Sequence, residues 1–257
     1  MSTNLSRRHA LTLGAAGLVF SGRFARAADA SSPRPRSWTF GDVTVTKVVE
    51  TSAPFPVDRA FPGAPLQAIE ENASWMLPHF YDPATKGVIF SYHAYVVRAP
   101  RVLLVMDGGF GESRPSERPG AHFESFQDNL RATGVAPEQV THVINSHFHS
   151  DHIGYNTRRD GDKQAVMYPK ARYLFDRKEV DFFAAAAASG APMGAAFTKS
   201  VKPVIDAGAA DIIDGDHEIA NGLRIVAMPG HTPGHHGLAI ESKGKRAILA
   251  EIGRAHV

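Results

Sequence analysis

Cysteine is absent from the 257 residues, which removes disulfide staples, thiol nucleophiles and thiolate metal ligands together. Any metal site here must be built from imidazole and carboxylate. An excess of one charge is missing too: 28 Lys and Arg stand against 26 Asp and Glu, a net +2 with no long basic run. Nucleic acid and anionic membranes are read by clustered positive charge, so neither is an expected partner. Past the N-terminal segment, no apolar stretch approaches the ~18 residues that span a bilayer. The mature chain is therefore expected to be soluble and to act on a small molecule.

The beginning of the chain reads as a signal. Arg7 and Arg8 precede a short apolar run over 11–20, and Ala25-Arg26-Ala27 follows as a small-x-small cleavage pattern. Residues 1–27 thus form a signal peptide whose apolar part is too short for a permanent span. The pair in Ser6-Arg7-Arg8-His9-Ala10-Leu11 resembles a twin-arginine signal, with Ala10 in place of the usual Phe, and implies a periplasmic or secreted protein. A flexible leader rich in Ser, Pro and Arg follows over 28–37. Residues 38–250 then supply enough apolar sequence for one domain with its own core.

Within that domain, alternation over 38–49 predicts an early strand pair, and 51–86 reads as loop. The β-branched runs 89–97 and 102–106 flank Arg98-Ala99-Pro100-Arg101 as a hairpin. Phe123, Phe126, Asn129 and Leu130 form the stripe of a helix ending at Gly134. Strands are predicted at 140–144, 172–175, 223–228, 237–240 and 246–249, and helices at 178–187 and 195–207. Strands first and last, with helices between, give a mixed α/β (α+β) class. That order suits two sheets sandwiched between helices better than a parallel α/β sheet.

Chemistry concentrates where the strand at 140–144 ends, in Asn145-Ser146-His147-Phe148-His149-Ser150-Asp151-His152. Residues two apart in an extended segment point the same way, so His147 and His149 can grip one ion. The chain then turns, and Asp151 and His152 can face the same cavity. Three imidazoles and a carboxylate within six residues are costly to assemble unless a cation sits among them. A second element, Met228-Pro229-Gly230-His231-Thr232-Pro233-Gly234-His235-His236, also follows a strand. Its Pro and Gly residues restrict the loop and aim His231 back toward the first cluster.

These two elements resemble the metallo-β-lactamase superfamily, in its glyoxalase-II-like and lactonase-like branches. Leu103-Leu104-Val105-Met106-Asp107-Gly108-Gly109 is similar to that family's early Val-Asp-Thr-Gly turn. The resemblance implies an αββα sandwich with a site at one edge between the sheets. It implies that His147, His149 and His231 hold a first metal, and that Asp151 and His152 help hold a second. The pair of divalent ions would most simply be zinc. Asp107 is then an orienting group rather than a ligand, and His235 or His236 packs or hydrogen-bonds nearby. Asp151 would orient a metal-activated hydroxide and pass on a proton. His79, His93, His122, His142 and His217 are assigned structural or surface places.

The family's pattern also contains a bridging Asp after the strand that here ends at Ala250, and a last histidine further on. The chain reads Glu251-Ile252-Gly253-Arg254-Ala255-His256-Val257 instead. A reverse translation of 251–257 matches a common sequencing-adapter read after its first base, so a non-native tail is expected there. The sandwich is then incomplete at its C-terminus, and little activity is expected of the polypeptide as written. Residues 75–81, 91–95 and 153–157 resemble a branch related to lactonases and organophosphate hydrolases. Lactone or ester hydrolysis is the first expectation, with phosphotriester turnover as a side activity. A glyoxalase-II-like thioesterase, a mononuclear iron persulfide dioxygenase and a non-catalytic metal-binding domain are the alternatives. Trp75, Phe80, Tyr81 and Tyr155 are candidates for a substrate cleft or for the core. A homodimer is compatible with the resemblance, although no interface is legible.

Overall fold

The computed structural model of the protein describes residues 35–111 and 126–250. The chain opens with an antiparallel hairpin of β1 (Arg36–Phe40) and β2 (Val43–Pro56). Three short helices follow, α1 (Val57–Ala60), α2 (Leu66–Glu71) and α3 (Ala73–Met76), then β3 (Tyr81–Asp82) and the long β4 (Gly87–Ala99). Strand β4 runs antiparallel to β2 along nearly its whole length and turns back into β5 (Val102–Met106). The segment 51–86, expected as loop, instead completes β2 and forms these helices and β3, and its Val57, Ala60, Met76 and Tyr81 bury themselves with Val88 of β4 in a small core of their own.

Beyond α4 (Phe126–Ala132), the sheet changes to parallel pairing. Strand β6 (His142–Ile144) lies beside β5, β9 (Arg172–Asp176) beside β6, and β10 (Ala210–Ile213) beside β9. Between β6 and β9 come α5 (Ser150–Ile153) and a two-stranded ribbon of β7 (Thr157–Asp160) and β8 (Lys163–Val166). Between β9 and β10 come α6 (Arg177–Ala188), α7 (Pro192–Ser200) and α8 (Lys202–Asp206). The single helix expected over 195–207 is two helices, broken around Val201, with Pro203 in the first turn of the second. Proline tolerates that position because the N–H it lacks has no helical partner there. The second sheet is wholly antiparallel: β11 (His217–Ala220), β12 (Leu223–Ala227), β13 (His236–Ser242) and β14 (Lys245–Leu249).

Two buried clusters define the layers. Val45, Val97, Leu104, Met106, Ile144 and Leu174 of the first sheet meet Leu223, Ile225, Leu238 and Ile240 of the second. On the opposite face of the first sheet, Val96, Val105, Val143 and Phe175 pack against Phe126, Leu130, Phe183 and Phe197 of the helices. Each large side chain so buried stabilises the fold by about 1.5–3 kcal/mol before entropy is counted. The strands alternate as this demands, with Val96 and Val105 toward the helices and Val97 and Leu104 toward the second sheet. The described residues thus build helix, sheet and sheet in order. The outer row of the second sheet, with Arg224, Glu241 and Ile248, is exposed.

Candidate metal centre

Parallel strands β5 and β6 end side by side, and the candidate site is built on the loops that leave them. After β6 the chain bends toward α5, and its side chains face opposite ways. Phe148 points back into the helical layer, 1% exposed, against Phe175, Phe183 and Phe197. That anchor turns His147 and His149 the other way. Their ring nitrogens approach each other: His147 Nε2 is 2.8 Å from His149 Nδ1. From the second sheet, the loop between β12 and β13 brings His231 Nε2 to 3.0 Å from the same Nδ1. One ligand atom from each of the three residues lies within 4.8 Å of the others.

This donor set fits a cation better than it fits hydrogen bonds among its own members. His149 Nδ1 faces two ring nitrogens at hydrogen-bonding distance. If protonated it donates to one and opposes the other; if bare it shares a single lone pair between two donors. A divalent ion with a preference for nitrogen takes all three lone pairs at once and leaves a coordination position open.

Asp151 and His152 stand on α5, with Asp151 Oδ2 3.2 Å from His152 Nε2. The ring of His152 is 4.1 Å from that of His147, so the second pair adjoins the triad. Asp107 lies behind them, 6% exposed, and reaches His152 Nδ1 with Oδ2 at 3.1 Å. Its Oδ1 accepts the Ser146 N–H at 2.7 Å, and the Ser146 hydroxyl lies near both carboxylate oxygens. The same hydroxyl is 3.1 Å from His147 Nδ1. Ser146 therefore connects the Asp107 carboxylate to the His147 and His152 imidazoles through their Nδ1 atoms. A backing carboxylate of this kind fixes the tautomer and aims the free nitrogen.

The turn holding Asp107 is tight. Asp107 has φ +65° and donates its N–H to the Ile144 carbonyl at 2.9 Å. Gly154, at the end of α5, lies so close to this turn that an added Cβ would stand 1.9 Å from the Phe110 carbonyl carbon. His235 and His236 are both buried. His235 Nδ1 faces the Met228 carbonyl at 3.0 Å, and its ring is 5.6 Å from that of His147. The His236 N–H donates to the Ser146 carbonyl at 3.0 Å and ties the two sheets together at the site. Burial pushes the His236 imidazole down to about 4.

Some residues at the site were not singled out by sequence. Ser146 is one. Glu179 is another, a carboxylate 1% exposed on α6. Burial raises its pKa, while the N–H groups of Phe148 and Gly234 that it accepts pull the other way. His93, set aside as structural, is pushed down to about 4 by burial and feels the charge of Asp107 and His152. Only the pattern His-x-Tyr on one face of β4 could have marked it. Among the cleft candidates, Tyr81 and Tyr155 are core residues, the latter stacked 4.6 Å from Phe126. Trp75 and Phe80 are exposed, at 63% and 54%, with rings 6.3 Å apart. His79 is exposed, and His122, Glu251 and His256 lie outside the described residues.

The sequence pattern of the metallo-beta-lactamase superfamily matches residues 88–250. An N-acyl homoserine lactonase from Bacillus sp is 28% identical over 127 residues, covering 49% of this chain and 43% of the relative. One from Bacillus cereus is 28% identical over 130 residues, with the same coverage. The match thus spans less than half the length of these lactonases. Among solved structures, the hydrolase AbOPH of the beta lactamase superfamily superimposes with a TM-score of 0.69 at 23% identity, over 84% of this chain and 73% of that one. AidC, a dizinc quorum-quenching lactonase, does so with a TM-score of 0.68 at 17% identity, over 83% and 72%. The two histidine loops and the turn at Asp107 all fall inside the matched residues, and the chain belongs to the metallo-β-lactamase superfamily.

Proposed function

We propose that this protein is a metal-dependent hydrolase that opens a lactone or ester, and that N-acyl lactones are its first substrate class. The observation that carries this reading is the convergence of the His147, His149 and His231 ring nitrogens from loops of two sheets. The names of the curated relatives support the lactone. In this reading the triad holds one divalent ion and Asp151 with His152 helps hold a second, zinc being the ion that suits the donors. Bound there, such ions acidify water and polarise a carbonyl oxygen.

The chain's own residues do the rest. Asp107 keeps the proton of His152 on Nδ1, which leaves Nε2 bare beside Asp151. Asp151, its side chain 26% exposed, is close enough to solvent to exchange protons. It takes one from the attacking water and returns it to the alcohol released on ring opening. Phe148 and the packed aromatics beneath it keep the two histidine side chains from turning away. A phosphotriester would be a secondary substrate, because Asp151 would serve any electrophilic oxygen-bearing centre held at the site rather than one acyl group. Residues 1–27 direct export, and their removal leaves the hydrolase.

The test is metal content together with turnover, on protein expressed from its own genomic locus without residues 1–27. We expect zinc to co-purify and an N-acyl homoserine lactone to be hydrolysed, with His231→Ala losing both. Protein that retains no metal, or an alanine variant with unchanged metal content, would overturn the reading. A single redox-active iron would favour the dioxygenase instead.

A further inference from the structure

The two histidine loops come from different sheets, and their ring nitrogens must meet within a few tenths of an ångström for one ion to use them. One side chain touches both loops. Glu179 Oε1 accepts the N–H of Phe148, the residue between His147 and His149, at 2.9 Å. Glu179 Oε2 accepts the N–H of Gly234, three residues after His231, also at 2.9 Å. The carboxylate is 1% exposed and rises from the first turn of α6, which itself packs on β9 through Phe183.

We propose that Glu179 is a positioning residue for the metal cradle, a carboxylate clamp that sets the distance between the His147–His149 loop and the His231 loop. This rests on the reading of those three histidines as metal ligands and adds to it the group that holds them in register. The sequence context disguises the role. Asp176-Arg177-Lys178-Glu179 has the spacing of a capping box, in which Glu179 would bend back to the N–H of Asp176. Asp176 does cap α6, accepting the Lys178 N–H at 2.8 Å. Glu179 does not reciprocate; both of its oxygens are committed to the loops.

The chemistry demands a carboxylate there. Two buried N–H groups need two acceptors, and each orphaned one is costly. Glutamine offers one acceptor and turns an NH2 toward the other N–H. Aspartate, one methylene shorter, cannot reach both loops from the same backbone. Gly234 is fitted to the clamp from the opposite side: a Cβ there would stand 2.6 Å from Glu179 N and 2.7 Å from Asp176 Oδ1. Any side chain at 234 pushes the His231 loop off the carboxylate.

The experiment compares the unsubstituted full chain with Glu179→Gln and Gly234→Ala. It reads Zn(II) affinity by competition with a colorimetric chelator, the visible bands of the Co(II)-loaded protein, and the stability of the metal-free protein. We expect each substitution to weaken Zn(II) binding about 10- to 100-fold, the range seen when groups behind metal ligands are removed. We also expect shifted Co(II) bands, because the angle between His231 and the other two rings changes. Should Glu179→Gln fail to fold, Gly234→Ala carries the same test with the carboxylate intact. Unchanged affinity and bands, with only a loss of metal-free stability, would overturn the clamp and leave the cradle standing. An unsubstituted chain that binds neither metal would overturn the cradle and the clamp together.

Discussion

At the scale of single residues, Asp107 stands behind the histidine cluster, and the proposed metal site makes its role testable. Asp107 Oδ2 lies 3.1 Å from His152 Nδ1, and accepting the Nδ1 proton in a hydrogen bond would leave Nε2 bare on the side of Asp151. Asp107→Asn keeps the shape but turns an amide NH2 toward that proton or toward the Ser146 N–H. The expected result is a second metal position weakened about 10- to 100-fold while the three-histidine position holds. Stoichiometric titration with Zn(II) checks it: two equal steps in Asp107→Asn would sink the argument. Asp107 was singled out because its turn resembles the family's; its contacts with Ser146 and His152 were not readable. Nor was the role of Ser146, since a serine beside a histidine motif looks like any turn residue. What makes it matter is its reach to Asp107, 39 residues away, and to His147 next door.

At the scale of elements, β6 and its loop were readable because everything that fixes them is local, whereas the helix α5 was expected only as a turn. Alternation sends Phe148 one way and the histidines the other, and burial of one large ring enforces the pattern. Longer-range order was less readable. Strands β10 and β11 are short and only partly buried, so little alternation marks them. They form because β9 offers a free edge to β10, and β12 offers one to β11. Helix α6 illustrates both sides: its apolar stripe was visible, whereas the uses of its first turn were not. Asp176 caps the helix and also accepts the Gly215 N–H at 2.9 Å, joining α6 to the entry of the second sheet. Asp176→Ala removes a cap and orphans a second N–H, which should cost on the order of 2 kcal/mol. Urea unfolding at neutral pH measures it. A change below about 0.5 kcal/mol, the level of an ordinary surface substitution, would show that water replaces the carboxylate at both places.

At the scale of the whole molecule, the sandwich carries imidazoles that its interior holds neutral. His93, on the face of β4 toward the site, and His236, at the start of β13, are each pushed down to about 4 by burial. In the unfolded chain the same groups titrate near 6.5. Between these values the unfolded state binds protons that the folded state refuses, so lowering the pH favours unfolding. The stability these two groups confer is therefore fully present above about pH 6.5 and is lost as the pH falls toward 4. Each should remove about 1.6 kcal/mol between pH 6.5 and pH 5, the slope reaching about 1.4 kcal/mol per unit only once the unfolded group is fully protonated. The measurement is urea unfolding of metal-free protein at both pH values, because bound metal adds a proton dependence of its own. His93→Gln cannot take up the proton, and its stability should fall less steeply over that interval than that of the unsubstituted chain. Parallel profiles would mean that His93 already reaches water in the folded state. In that case the face of β4 beside Asp107 is open to solvent, and burial is not what separates His93 from water.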